Sequence, residues 1–221
     1  MSAREKPHVL IGHGKPCPYR LTQPEPLMAN HVLTMMSNTI DFLENAERLR
    51  WNNPRDIVAA AMIRPGARIA EIGCGTGWFS FELEHASRPR GMVYALDKLP
   101  AMLQILESKR GNYERILTLP CGENDFELDD SEVDVVFHAN VLHECENPEL
   151  HLKEAHRVLK GGGRIVVIEW TWADEESQPG PPNVRRLEPQ TTRALLSGAG
   201  FNVQSTDDVG PYHYVVVASK S

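Results

Sequence analysis

The stretch Glu71-Ile72-Gly73-Cys74-Gly75-Thr76-Gly77 constrains this chain more than any other. An apolar run through Ala67, Ile69 and Ala70 precedes it, and Trp78-Phe79-Ser80-Phe81-Glu82-Leu83 follows. The pattern reads as strand, glycine turn, helix. Three glycines at alternate positions leave no side chains between the backbone and whatever lies against the turn. The helix that follows presents free N–H groups at its first turn, which attract polar or anionic ligand groups. In the dinucleotide fingerprint the third glycine falls three positions after the second. Here that position is Trp78 and the third glycine is Gly77, which disfavours a nicotinamide-dependent oxidoreductase.

The rest of the chain alternates strand and helix. Residues up to about Pro26 are rich in Pro, Gly and His without a period and read as an irregular arm. Leu27 to Trp51 carries apolar residues at mostly helical intervals, enough for one or two helices. Asn53-Pro54 opens another helix, ended by Arg64-Pro65-Gly66. A second strand runs from Gly91 to Asp97, a helix from Pro100 to Lys109, and a short third strand from Ile116 to Leu119. Val133 to Phe137 is continuously apolar, as a strand covered on both faces should be. A helix over Pro148 to Leu159, capped by Gly161-Gly162-Gly163, leads to a fifth strand, Arg164 to Trp170. The polar, proline-rich segment Thr171 to Val184 is a long loop of the kind that serves as a lid or connection. Then come a helix (Pro189 to Leu196) and strands from Phe201 and over Tyr212 to Ala218. This order predicts an α/β fold, a doubly wound and mostly parallel sheet. The turn near Gly210-Pro211 is too short for a crossover, so the last strand should be antiparallel. The domain reading is an N-terminal arm and helical cap over residues 1–52 and the main domain over 53–221.

Composition excludes several classes. A chain of 221 residues can bury a sizeable core without disulfide or metal staples. The net charge of −7 argues against a general nucleic-acid-binding surface, which needs clustered Lys and Arg. Cys17, Cys74, Cys121 and Cys145 are widely separated and form no disulfide framework, which fits a reduced, cytoplasmic setting. No apolar run reaches membrane-spanning length, and the N-terminus lacks the apolar segment of a signal peptide. His8, His13 and Cys17 fit no zinc spacing, so no metal site is expected.

In an open α/β sheet, ligands bind beyond the carboxyl ends of the strands. Glu71-Ile72-Gly73, Asp97 and His138-Ala139-Asn140 lie at such ends. Asp97, some two dozen residues past the turn, can accept hydrogen bonds from both ribose hydroxyls of an adenosine.

Longer pieces point further. Arg68-Ile69-Ala70-Glu71-Ile72-Gly73-Cys74-Gly75-Thr76-Gly77, Val93-Tyr94-Ala95-Leu96-Asp97, Val133-Asp134-Val135-Val136, Asn140-Val141-Leu142-His143-Glu144 and Arg157-Val158-Leu159-Lys160-Gly161-Gly162-Gly163 occur in this order. Together they resemble small class I S-adenosylmethionine (SAM)-dependent methyltransferases, and most of all the ubiquinone/menaquinone-biosynthesis methyltransferase-like, type 11, branch. Arg48, Trp51 and Pro54, and Val209-Gly210-Pro211-Tyr212-His213-Tyr214, look like the same branch. The resemblance spans roughly Asn45 to Ser219.

It implies a Rossmann-like seven-stranded sheet with an N-terminal helical extension, SAM as cofactor and a small-molecule methyl acceptor. Glu71, Gly73, Cys74, Gly75 and Gly77 would hold the methionine end, with Glu71 near its amino group. Asp97 would take the ribose, and Lys98 and Leu99 would lie beside the adenine. Asn124 or Asp125 would meet the adenine amino group, Phe126 would pack on the ring, and Asn140 would lie near the transferred methyl.

A general base is needed only for an acceptor protonated at neutral pH; His143 and His138 are the candidates. Glu144 is placed to orient an imidazole, Glu169 and Trp170 should face the same cleft, and His213 has a weaker claim. Cys17 and Cys145 leave a thiophilic acceptor as a minor option. A SAM-binding regulatory or scaffold protein is the alternative to an enzyme. For the N-terminal helices the alternatives are a lid on the acceptor site, cover for a sheet face, or a homodimer contact.

Overall fold

The computed structural model describes residues 37–175 and 178–221. The readings placed on the arm before residue 37, including His8, His13 and Cys17, lie outside them. Thr39–Ser221 form one compact unit.

Helix α1 covers residues 37–43, and a 3-10 turn follows at Ala46–Arg50. The main body then alternates: α2 (Pro54–Ala60), β1 (Arg68–Ile72), α3 (Ser80–Ser87), β2 (Met92–Asp97), α4 (Pro100–Arg110), β3 (Ile116–Pro120), β4 (Val133–Ala139), α5 (Pro148–Val158), β5 (Leu159–Trp170), α6 (Pro189–Gly198), β6 (Phe201–Val209) and β7 (His213–Lys220). The seven strands form one sheet in the order β3-β2-β1-β4-β5-β7-β6. β1 to β5 pair in parallel, and β7 enters antiparallel between β5 and β6. Among the described residues, no helix is long and apolar enough to cross a membrane.

The apolar runs are continuous because both faces of the central strands are buried. Ile69, Val93, Val135, Phe137, Val166 and Ile168 face one layer with Ile57, Val58 and Leu83. Their neighbours Ala70, Ile72, Leu96, Val136 and Val167 face the other with Leu152, Ala155 and Leu196. Strand order reverses between β1 and β4, which pair directly with Glu71 opposite Phe137 and Ile72 opposite His138. Beyond the carboxyl ends of those strands lies the crevice in which such sheets bind ligands.

Several boundaries differ from the sequence reading. The helix opened by Pro54 stops at Ala60, and the helix after the glycine turn begins at Ser80. Gly161-Gly162-Gly163 do not cap α5. The helix ends at Val158, Leu159 already has extended backbone, and the glycines sit inside β5. Leu159 pairs with Val133 and Arg164 with Val135, so the residues between form a bulge. Lys160 Nζ closes it with a 2.7 Å bond to Asp134 Oδ1. Among the described residues, the long loop after β5 contains one 3-10 turn, Asn183–Arg185. It is tied down where Arg186 donates to the carbonyls of Pro179, Pro181 and Thr171.

The start of β2 is equally tight. Ser87 O accepts from Gly66 N at 2.7 Å and Gly91 N at 2.9 Å, joining the end of α3 to the starts of β1 and β2. A Cβ on Gly91 would lie 2.5 Å from that oxygen, whereas one on Gly161 would meet nothing within 4 Å among the described residues. Gly91→Ala should therefore cost about 1–3 kcal/mol by overpacking. Gly161→Ala should be neutral or stabilise by up to about 1 kcal/mol. Urea unfolding of both variants checks this; equal midpoints for the two would contradict the packing described.

Candidate functional site

The glycine turn leaves β1 with left-handed backbone at Gly73 (φ +66°), Gly75 (φ +53°) and Gly77 (φ +90°), a conformation that side chains disfavour. Val141 closes on Gly73 and Leu106 on Gly77. Among the described residues, a Cβ on Gly75 would meet only Leu43 Cδ1, at 3.4 Å. Cys74 N donates to Leu96 O at 2.9 Å, and Gly75 N to Asp97 Oδ2 at 2.8 Å, so the end of β2 holds the turn. Asp97 Oδ1 accepts from Leu99 N, also at 2.8 Å.

Two buried carboxylates thus meet beneath the turn. Burial raises the Asp97 pKa, and the amides of Leu99 and Gly75 oppose the rise. Glu71, 2% exposed, accepts from Ser80 Oγ at 2.5 Å. Its pKa is pushed up to about 8 by burial, against the Ser80 bond and with a smaller push from Asp97. Neither acid forms an ion pair among the described residues. Burial also raises the Cys74 thiol, leaving it protonated and inert.

A second group of residues lies beyond β2 and β3. Lys98 Nζ stands 3.7 Å from Glu123 Oε2, and Leu99 exposes 41% of its surface. Gly122 N donates to Asp125 O at 2.8 Å, forming a turn that leaves Asn124 and Asp125 exposed. Phe126, expected against a ligand ring, is instead wholly buried and edge-on to His151. His138 likewise points into a core layer, with Nε2 2.7 Å from His151 Nε2. His151 Nδ1 donates to Glu123 O, so its Nε2 accepts and His138 Nε2 carries the shared proton. Burial and the neighbouring ring hold His138 well below the usual histidine range.

His143 stands differently. Its Nδ1 is 2.7 Å from Glu169 Oε2, and its backbone N donates to Glu169 Oε1 at 3.2 Å. The carboxylate can only accept, so Nδ1 carries the proton and Nε2 keeps its lone pair. Glu144, the acid next in sequence, is 4.0 Å from Nε2; the orienting acid is Glu169, from the neighbouring strand. Asn140 has left-handed backbone (φ +60°), and its Nδ2 lies 3.3 Å from His213 Nε2. Its Oδ1 is buried without a hydrogen-bond partner among the described residues. Trp170 at the end of β5 packs 4.3 Å from His213, and Trp51 lies over both.

The sequence reading missed Ser80 as the partner of Glu71, His151 as the partner of His138, and Glu44. The Glu44 carboxylate bonds the Thr76 hydroxyl and Lys109 Nζ, the latter at 2.8 Å. A hydroxyl in the first turn of the helix after the glycines was a readable signal for Ser80. Nothing local marks the other two.

Comparison with known proteins agrees with this geometry. Residues 70–167 match the family model described as a methyltransferase domain. A demethylmenaquinone methyltransferase of Staphylococcus carnosus (strain TM300) is 31% identical over 113 residues, 51% of this chain and 47% of the relative. The chain therefore spans about half the length of the curated relatives it matches. The crystal structure of a SAM-dependent methyltransferase from Aquifex aeolicus superposes with a TM-score of 0.78 at 26% identity, covering 83% of this chain and 98% of that one. That of a putative type 11 methyltransferase from Sulfolobus solfataricus superposes with a TM-score of 0.57 at 25% identity, covering 71% and 85%. Family model, sequence relatives and fold converge: residues 70–167 match a methyltransferase domain, and the chain is similar in sequence and fold to SAM-dependent methyltransferases, a putative type 11 enzyme among them.

Proposed function

We propose that this chain binds SAM at the glycine turn and transfers its methyl group to a small-molecule acceptor. The observation that carries the reading is the pair of buried carboxylates, Glu71 and Asp97, at a glycine turn with no cation paired to either among the described residues. SAM brings the complementary donors, an ammonium and two ribose hydroxyls. Each Asp97 oxygen already accepts one backbone N–H and has a further lone pair for a hydroxyl. When bound, SAM supplies a methyl group activated for in-line displacement. The protein's part is alignment and exclusion of water. Leu43 against Gly75 and Glu44 on Thr76 support reading the segment ahead of residue 53 as a cap over the cofactor.

His143 is the proposed general base. Glu169 fixes its tautomer and leaves Nε2 to take a proton from an acceptor hydroxyl. His138 has no such role, since its Nε2 proton is engaged by His151 inside the core. A small-molecule acceptor accords with relatives named for demethylmenaquinone and with the Trp51 and Trp170 rings at the strand ends.

Conversion of SAM to S-adenosylhomocysteine in the presence of a metabolite extract tests the activity directly. His143→Gln should slow transfer to a hydroxyl acceptor by about 10²–10⁴-fold while SAM affinity changes little; an unchanged kcat would remove His143 from the chemistry. Asp97→Ala should weaken SAM by about 1.5–3 kcal/mol for each hydrogen bond lost to the charged group. Equal calorimetric affinities in variant and wild type would take Asp97 out of the site.

Glu71 gives a pH-dependent prediction. Its folded pKa, about 8, lies above the unfolded value of 4.5. The folded state therefore binds the extra proton between these values, and this contribution to stability is lost as pH rises through them. Relative to Glu71→Gln, the wild type should melt progressively lower from about pH 5 to pH 8. Saturating SAM should shrink that trend by placing a cation beside the carboxylate. Parallel melting curves for the two proteins at every pH would contradict the assignment.

A further inference from the structure

Two buried imidazoles that the methyl-transfer reading leaves unused lie behind the loop that follows β3. His138 of β4 and His151 of α5 share one proton, Nε2 to Nε2 at 2.7 Å, and His151 gives its own N–H, on Nδ1, to the carbonyl of Glu123. Glu123 is held at its carboxylate as well. Its Oε1 accepts from Glu146 N at 2.8 Å and Asn147 N at 3.3 Å at the entry to α5, and its Oε2 stands 3.7 Å from Lys98 Nζ. The loop that carries Glu123 starts beside the site, where Cys121 N donates to Asp97 O at 3.2 Å. Its far end rests on α5: Phe126 N donates to Glu154 Oε1 at 2.9 Å, and the Phe126 ring meets His151 edge-on. Between these anchors Asn124 and Asp125 are exposed. β3 is the next strand beyond β2, so a ligand with its methionine end at the glycine turn and its ribose on Asp97 extends its base toward this loop.

This anchorage suits a neutral pair of rings. The Glu123 carbonyl can only accept, so His151 Nδ1 carries a proton and its Nε2 keeps a lone pair for the His138 N–H. That leaves His138 Nδ1 buried without a partner among the described residues. A further proton would set N–H against N–H between the rings, or move one to His138 Nδ1, where no described residue accepts it. Burial holds both rings below the usual histidine range. Around His151, Glu123 and Glu154 favour the charged form and Lys98 opposes it; at His138 the His151 ring opposes it. With folded values below the ordinary 6.5, the pair contributes stability above that pH and loses it as pH falls. We infer that His151, backed by His138, is a positioning residue of the cofactor site: through Glu123 it sets the loop at residues 121–126 against the adenosine. The inference rests on SAM binding at the glycine turn. Uptake of a proton by the pair therefore weakens the cofactor's hold.

Calorimetry of S-adenosylhomocysteine binding to the full chain tests this between about pH 8 and about pH 5.5, the span over which histidines charge. The reference is His151→Gln, whose amide keeps a donor and an acceptor but does not titrate. Across that span the wild type should lose at least about threefold more affinity than His151→Gln, approaching about tenfold per pH unit below the pair's own titration. Glu71 and His143 titrate in both proteins, so their effects cancel in the comparison. His151→Leu, which offers Glu123 no donor, should bind about two- to tenfold more weakly near the upper pH, the loss of one hydrogen bond. Imidazole NMR of the wild type needs no variant and decides alone should His151→Gln fail to fold. Saturating ligand should move the His138–His151 titration to lower pH, by about half a unit for a threefold coupling. Parallel affinity profiles for the wild type and a well-folded His151→Gln overturn this inference alone. So does a His138–His151 titration that the ligand leaves unmoved, or wild-type affinity in His151→Leu. Absence of S-adenosylhomocysteine binding at every pH overturns the SAM reading and this inference together.

Discussion

The hydrogen bond from Gly75 N to Asp97 Oδ2 joins the two features on which the site depends. One is the left-handed path of the glycine turn after β1, the other the acid that ends β2. Parallel pairing of β1 with β2 in register brings their carboxyl ends to one edge, with Ile72 opposite Leu96. Without that register Asp97 could not reach the turn, and the backbone between Gly73 and Gly77 would lose one of its fixed points. Val141 and Leu106 hold the other two sides, so the turn is braced by β4's following loop and by α4. A ligand lying there meets a rigid rim rather than a mobile loop, which is what alignment for displacement requires.

The electrostatics of the crevice divide along the same lines. On the turn side, two buried acids lack a paired cation among the described residues, and Glu71 is driven toward its neutral form. Beside Trp78 the Arg48 guanidinium is buried, with the Glu44 carboxylate acting on it through space. On the opposite face, the His143–Glu169 pair is matched internally. A ligand with an ammonium and sugar hydroxyls would answer the two acids at the turn. The protein's −7 net charge gives no hint of this, because it is a sum over the whole surface.

Much of the fold was legible because parallel strands buried on both faces announce themselves as apolar runs. Val133–Ala139 and Met92–Asp97 were read nearly to the residue, and the antiparallel last strand followed from a turn too short to cross over. The glycine triplet after α5 misled because the same residues serve either as a helix cap or as a bulge. The choice falls to the pairing of Leu159 with Val133, which is not local. The glycine turn was readable as a short motif. The partners of its neighbours were not: His143 meets Glu169 rather than adjacent Glu144, and His138 meets His151 across a core layer. Phe126 and His138 looked like site residues from their positions beside motif segments, yet strand alternation and helix packing turn their rings into the core.

The central claim is that the β1–α3 turn and the end of β2 hold SAM. Amide hydrogen exchange read at individual residues tests it most directly, since Gly75 and Leu99 amides both rest on Asp97. Adding SAM should slow exchange at residues 73–79 and 97–99 and leave β6 and β7 unchanged. SAM that binds by calorimetry yet leaves exchange at the turn unaltered would contradict the account.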